Sequence, residues 1–324
     1  MMRRALLLFA SLSFALAAAS ASADITVLTY NLGLLKVFGS NYVPLVDIRA
    51  KAAPAELAKF AGDTPVDIIL LEEVWRDQYA NAIAAALAPL GYTAIMPKVH
   101  TIVGLSSGLL LLVKQPLKVV DWKFTPFVKT TFTDSFARKG VLEATIENES
   151  DGTRFVLVGT HTVALDTNNG TPTDKAQVSA IMSQAAQIRK VLASRSRNGT
   201  IPALLMGDFN VGPGYVDDAY RAIASDSVRE TGATLQPQAP LITWDPQNPL
   251  VKYGNYPNEP PAKIDHVFLQ DGTSMQWVPR DCWVRQTKPV EGLSIVPGKG
   301  AGPVPIPLSD HYAFLVRLDL LAAR

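Results

Sequence analysis

Cysteine is almost missing from this chain: Cys282 is the only one in 324 residues. No intramolecular disulfide can form, so the fold must hold by packing, and a disulfide-stapled miniprotein is excluded. An excess of charge of one sign is missing too. Lys and Arg number 30 and Asp and Glu 29, a net charge of +1, whereas a nonspecific nucleic-acid coat needs a marked basic excess to neutralise phosphates. A catalytic nuclease stays open. There is no glycine-rich nucleotide loop of either common type, no short repeat, no heptad and no low-complexity tract beyond a Gly/Pro-rich stretch at 296–307. With 48% hydrophobic residues the composition is neither disordered nor collagen-like, and the chain is long enough to bury a substantial core.

The chain opens on Met1-Met2-Arg3-Arg4, continues as an almost unbroken apolar run over 5–19, and reaches Ala21-Ser22-Ala23. Basic, apolar and small-residue segments in that order read as a secretory signal peptide over residues 1–23, and the run is shorter than the ~20 residues of a membrane-spanning helix. A buried N-terminal helix is the other reading, but nothing in the run would give it a solvent face. Cleavage after Ala23 is expected. It leaves a secreted or periplasmic chain from Asp24 with 28 basic and 29 acidic residues. No Cys follows the segment, so an N-terminal lipid anchor is not expected.

Beyond it, strand-like runs at 25–30, 66–71, 108–113, 141–146, 155–160, 203–206, 263–269 and 312–318 alternate with helical patterns at 49–60, 77–87 and 175–193. This is a mixed α/β pattern. The polar hexapeptide at 147–152 predicts a β-hairpin between two of the runs, and hairpins imply antiparallel pairing. A sandwich of mixed sheets with helices outside therefore fits better than a parallel doubly wound sheet. One domain over 24–324 is expected.

Several polar residues stand where such strands end: Asn31, Glu72 and Glu73, His161, Asp208 and Asn210. Any one of them alone could be a cap or turn residue. Four such strand ends after apolar runs suggest a shared edge, since loops at strand ends carry function on a rigid scaffold. Asp265 lies inside an apolar strand, where a carboxylate is costly unless paired. A histidine is an obvious partner, and Asp310-His311 precedes the last strand. Of the four histidines, His100 reads as a loop residue, and His266 should face away from Asp265 and be structural.

Oxygen ligands with histidines suit a hard cation and a phosphate. One Cys and scattered histidines give no zinc spacing. Ser309 beside Asp310 and His311 is adjacency, not a catalytic triad. The inventory points to hydrolysis in which a carboxylate activates water while a cation and histidines stabilise charge on phosphate.

As a set, Thr29-Tyr30-Asn31, Leu71-Glu72-Glu73-Val74, Gly159-Thr160-His161, Gly207-Asp208-Phe209-Asn210, Ile264-Asp265-His266 and Ser309-Asp310-His311 resemble the ordered motifs of the endonuclease/exonuclease/phosphatase superfamily. The resemblance implies a four-layer α/β sandwich with two facing mixed sheets and helices on both outer faces. It also implies Mg²⁺, or Mn²⁺ or another divalent cation, held by Glu73 with Asn31 and Asp310 near it. Asp208 would activate water, with Asn210 orienting the water or the phosphate. His311, held in its tautomer by Asp265, would stabilise the pentacovalent phosphate, and His161 would bind a phosphate oxygen or assist the leaving group.

Within the superfamily, His161 resembles the sphingomyelinase and pancreatic-nuclease branches. Ala262-Lys263-Ile264-Asp265-His266 departs from the inositol phosphatases, and the lack of a disulfide departs from secreted pancreatic-type nucleases. The stretches 243–250 and 256–259 resemble neutral sphingomyelinases. A long insertion over 270–308 is expected, whose Trp277 and Trp283 would either face a membrane interface or sit in the core. The implied activity is phosphodiester hydrolysis of a phospholipid headgroup at a membrane surface. A metal-dependent endonuclease on nucleic acid and a non-catalytic binding module are the alternatives.

Overall fold

The computed structural model describes residues 23–323 except 100, 132, 169–170, 226, 239–240, 255–257, 287 and 299. The leader expected over 1–23 and the loop histidine His100 thus lie outside the described residues, apart from Ala23, which opens the first strand. The main strands in chain order are β1 (Ala23–Asn31), β2 (Ile68–Glu72), β3 (Tyr92–Ile95), β4 (Leu110–Lys114), β5 (Leu117–Pro126), β6 (Gly140–Asn148), β7 (Arg154–His161), β8 (Ala203–Asp208), β9 (Arg229–Glu230), β10 (Asp265–Gln270), β11 (Met275–Arg285) and β12 (Ala313–Ala322). They build two six-stranded mixed sheets, ordered β11-β12-β1-β2-β4-β3 and β9-β10-β8-β7-β6-β5.

The period of two in these strands divides the core into layers. Ile25 and Val27 of β1, Ile68 and Leu70 of β2, Phe155 and Leu157 of β7, and Leu204 and Met206 of β8 meet between the sheets. The intervening Leu28 and Tyr30, Ile69 and Leu71 face outward against α1 (Val46–Asp63) and α2 (Asp77–Leu87). On the other side Val156, Val158, Ala203 and Leu205 pack on α3 (Lys175–Arg195) and α4 (Asp217–Ile223). Helix, sheet, sheet, helix is the four-layer sandwich that the motifs implied.

The expected hairpin is the β6–β7 pair. The long insertion is corrected: β11 is an edge strand paired along β12, with a register shift between Pro279 and Asp281. The proline masked it, because Pro breaks a ladder except at an edge or bulge. Trp277 is accordingly core, 2% exposed and edge-on to Phe155 with ring centroids 5.2 Å apart. Trp283 is partly buried against the outer cluster that holds α1 and α2. β5 was also not foreseen, because an exposed edge strand reading Leu-Lys-Val-Val-Asp-Trp-Lys lacks a clean apolar row.

Candidate active site

At one end of the sandwich the inward rows stop being apolar. The next inward residues are Thr29 and Asn31 on β1, Glu72 on β2, His161 on β7, Asp208 on β8 and Asp265 on β10, all buried. Strand register aligns them: Asn31 lies opposite Glu72, and Asp208 lies between His161 and Asp265. One sheet thus supplies His161, Asp208 and Asp265 side by side, and the other presents Asn31 to them.

Two turns add residues that alternation alone would point elsewhere. Glu73 and Asn210 both have positive φ, 58° and 51°, a left-handed conformation costly for a non-glycine residue and typical of functional sites. The turn brings Glu73 within reach of Asn31 (Nδ2 to Oε1, 3.1 Å). Gly33, at φ 58°, permits the last approach, because a Cβ there would sit 2.2 Å from Asp310 Oδ1.

Asp208 is the hub. Its Oδ2 accepts from Asn31 Nδ2 at 2.8 Å and its Oδ1 from the Asn210 backbone N–H at 2.9 Å. Burial, and then the charge of Asp265, push its carboxyl up to about 7. His311 lies beyond it, Nε2 to Oδ2 at 3.9 Å, and its Nδ1 bonds Asp265 Oδ2 at 2.9 Å. Despite burial, that carboxylate raises the imidazole well above its usual value, so His311 is held as a cation with Nε2–H aimed into the site. Thr243 Oγ1 fixes Asp265 by accepting from its backbone N–H at 3.1 Å.

His161 differs. Its Nε2 meets Lys139 Nζ at 3.2 Å, and burial holds it well below its ordinary value. A neutral ring that accepts from the ammonium carries its proton on Nδ1, which has no partner. Lys139 also bonds Thr162 O at 2.8 Å and Asp134 at 3.1 Å, so its three donors are used internally.

All eight expected residues, Asn31, Glu73, His161, Asp208, Asn210, Asp265, Asp310 and His311, converge here. His266 faces the other way, Nε2 on Val211 O at 2.8 Å, as anticipated. Three further residues belong to the site. Glu72, named at its strand end without a role, is fully buried, takes a 2.6 Å bond from Thr29 Oγ1 and is raised well above the usual carboxylate range by burial and by Asp265. Lys139, one residue before β6, carries no sequence signal that would assign it to the site. Arg49 is wholly buried and donates to the carbonyls of Leu32, Gly33, Pro44 and Leu308, tying the Asn31 turn to the Asp310 segment. It had read as the start of a helical pattern.

The donor set fits a hard cation. Burial and then Asp310 raise the Glu73 carboxyl, a mutual repulsion that a cation would relieve, and Glu72 Oε2 and Asp265 Oδ1 are buried without partners. Asp208, Asp265 and His311 also bring side-chain O and N atoms within 4.8 Å of one another, but a charged His311 ring has no lone pair to offer a metal. From these residues a cleft leads outward between the aromatic side chains of Tyr42, Tyr215 and Trp244 and the aliphatic Val251 and Ile264, with Glu259 at its wall.

Comparison with known proteins agrees with this geometry. The model of the endonuclease/exonuclease/phosphatase family matches residues 28–311. No curated protein sequence matches the chain. Among solved structures, sphingomyelinase C from Streptomyces griseocarneus is similar with a TM-score of 0.68 at 21% identity, over 91% of this chain and 99% of that one. A doubly substituted beta toxin from Staphylococcus aureus with bound magnesium ions reaches 0.67 at 18%, over the same shares. TDP2 from D. rerio, complexed with a single-stranded DNA product, reaches 0.65 at 14%, again over 91% and 99%.

Proposed function

Because the chain belongs to the endonuclease/exonuclease/phosphatase family, whose members are generally metal-dependent phosphoester hydrolases, we propose that it hydrolyses the headgroup phosphodiester of a phospholipid, with sphingomyelin the first substrate to test. The observation that carries the lipid reading is where large apolar side chains are exposed. Phe38 (78% exposed), Ile102, Val128 (90%) and Val296 lie on four different loops, after β1, between β3 and β4, between β5 and β6, and between β11 and β12. All four loops leave the sandwich at the site end. Exposed apolar groups at the end that carries the site suit a lipid interface and are otherwise a liability, whereas Ile48, Val120, Trp122 and Met182, also exposed, are spread over α1, β5 and α3. The cleft itself offers a nucleic-acid backbone no help, since no Lys or Arg lines it among the described residues.

In this reading Mg²⁺, held by Glu73, Asp310 and the Asn31 side-chain oxygen, supplies neutralisation of phosphate charge. The chain's own residues do the rest. Asp208, poised near neutrality, takes a proton from water as the water oxygen bonds to phosphorus, while Asn31 and Asn210 hold the carboxylate in place. His311 donates from Nε2 to a non-bridging oxygen, and Asp265 keeps it charged. The P–O bond to the lipid alcohol breaks, and the departing oxygen takes a proton from solvent. His161, held by Lys139, packs beneath Asp208, Nε2 to Oδ2 at 3.6 Å, and helps to keep that carboxylate in position. The residue 1–23 leader would deliver the enzyme outside the cytoplasm.

The test is hydrolysis by the mature chain of sphingomyelin vesicles, phosphatidylcholine vesicles and plasmid DNA in parallel, with Mg²⁺ or chelator. Chelator-sensitive release of phosphocholine is expected, with the paired change Phe38→Ser and Ile102→Ser weakening vesicle binding about tenfold. Nicked DNA with untouched lipid would move the reading to a nuclease.

A further inference from the structure

Three side chains of the cleft have no part in the hydrolysis described above. Tyr215, Trp244 and Glu259 line it beside the reacting groups. Tyr215 is mostly buried, and the carboxylates of Glu259 and Asp208 add to the burial that raises its hydroxyl. Thr167 links two of the three: its Oγ1 donates to Glu259 and lies 3.4 Å from the Tyr215 hydroxyl.

These walls are held in place. Gly212 and Tyr215 exchange two backbone bonds, 2.8 and 2.9 Å, on the loop that follows Asp208. Gly212 presses so closely on the Lys263 carbonyl that a Cβ would come within 1.9 Å of its oxygen. Trp244 is anchored by reciprocal backbone bonds with Ala262 (2.9 and 3.0 Å) and bridges to His311. Glu259 has no Lys or Arg paired with it among the described residues, although it faces a cleft built to receive a phosphodiester.

An unpaired carboxylate beside a phosphate site repels a second phosphate and attracts a cation, and aromatic walls favour a cation that is weakly hydrated. Resting on the phosphodiesterase reading, we infer that Tyr215, Trp244 and Glu259 form a subsite for a quaternary ammonium group tethered to the scissile phosphate, so that the preferred headgroup is phosphocholine. Anionic and neutral headgroups forgo both attractions there. The subsite holds the part of the substrate that stays on phosphorus, so the choline is bound both before and after the lipid alcohol departs.

Two soluble substrates separate this inference from the reading it rests on: p-nitrophenylphosphorylcholine, which carries the cation, and bis(p-nitrophenyl) phosphate, which does not. The wild-type chain should cleave both with Mg²⁺. The ratio of kcat/KM on the choline ester to that on the bis-ester should fall about tenfold in Glu259→Gln and in Tyr215→Leu. An unchanged ratio in both variants overturns the subsite. If wild type cleaves neither substrate, the phosphodiesterase reading has failed, and choline titration followed by tryptophan fluorescence decides the subsite by itself. A saturable change in wild type that Glu259→Gln loses supports it, and no change overturns it.

Discussion

Asp265 and His266 are neighbours on β10, yet they serve two opposite kinds of histidine–carboxylate cluster. On the outer face, burial and Lys263 lower His266. Its Nδ1 lies 3.2 Å from Lys263 Nζ, and its Nε2 reaches Val211 O. Lys263 also pairs with Glu230 and sits 4.3 Å over the Phe314 ring. Opposing its burial, these charges hold Glu230 far below the usual carboxylate range. On the inner face, Asp265 holds His311 as a cation but leaves its own Oδ1 without a partner, beside an Asp208 pushed up to about 7. Two clusters each built on a buried histidine and carboxylate thus differ in completeness. The complete one stabilises the sheet, and the incomplete one keeps room for a ligand.

The largest effect should come from Asp208→Asn. Removing the carboxylate proposed to activate water should cost about 10³-fold or more in kcat/KM on a phosphodiester. The melting temperature should not fall, since a buried, repelled charge is removed while the amide keeps the side chain's shape. In the complete cluster the pattern inverts. Glu230→Gln strands a largely buried Lys263 beside His266 and should cost about 2–3 kcal/mol, a drop in Tm of about 4–12 °C. Activity per folded molecule should stay within about twofold, because no atom of that cluster faces the cleft. Calorimetry and steady-state kinetics on both variants decide the matter. If Asp208→Asn melted as low as Glu230→Gln, the contrast between the clusters would be gone.

What could be read in the sequence follows from the same contrast. Asn31, His161 and Asp208 were legible because each ends a short, largely apolar run, so the polar break coincides with the end of the inter-sheet core. Asp265 was legible because an unpaired acid inside an apolar strand demands a partner. The hairpin signal gave mixed sheets with helices outside, and the four layers came with the family resemblance. Arg49 and Lys139 were not legible, because long side chains reach the site from a helix and a loop whose placement no local pattern records. β5 and β11 escaped notice because edge strands need not keep an apolar row, and Pro279 reads as a break wherever it stands. The roles of Asn31, Glu73 and Asp310 toward a metal came only with the family resemblance.

A variant between the two clusters sharpens the comparison. Lys139 belongs to the site end, yet like Lys263 it is fully satisfied, by His161, Thr162 O and Asp134. Lys139→Met should therefore show both signatures in reduced form: about tenfold lower kcat/KM, because His161 loses its orienting donor, and about 1–2 kcal/mol lower stability, because Asp134 loses its partner. The ¹⁵N shifts of His161 report the tautomer. An unchanged Nδ1–H tautomer in the variant would remove Lys139 from the site.

The smallest effect is a difference in pH dependence. In metal-stripped protein the Asp208 carboxyl titrates near 7 when folded and near the ordinary carboxylate value of 3.8 when unfolded. Between those values the folded state binds the proton that the unfolded state has released, so stability falls as pH rises through the window from about 4 to 7. Glu230 has the opposite sign: its folded value is depressed, and its contribution is present above the ordinary value and is lost as pH falls toward the folded one. His161, held neutral in the fold, also adds stability as pH rises toward its ordinary value, so the raw melting curve mixes signs. Subtracting the Asp208→Asn variant isolates the one carboxyl. With chelator, the Tm of wild type minus that of the variant should decrease by about 2–4 °C from pH 6 to pH 7.5, corresponding to about 1 kcal/mol. Mg²⁺ should raise the wild-type Tm more at pH 7.5 than at pH 5, because a cation favours the ionised carboxylates around it. A difference that stays flat with pH would mean that Asp208 is already ionised at pH 6, which would place the incomplete cluster on the same footing as the complete one.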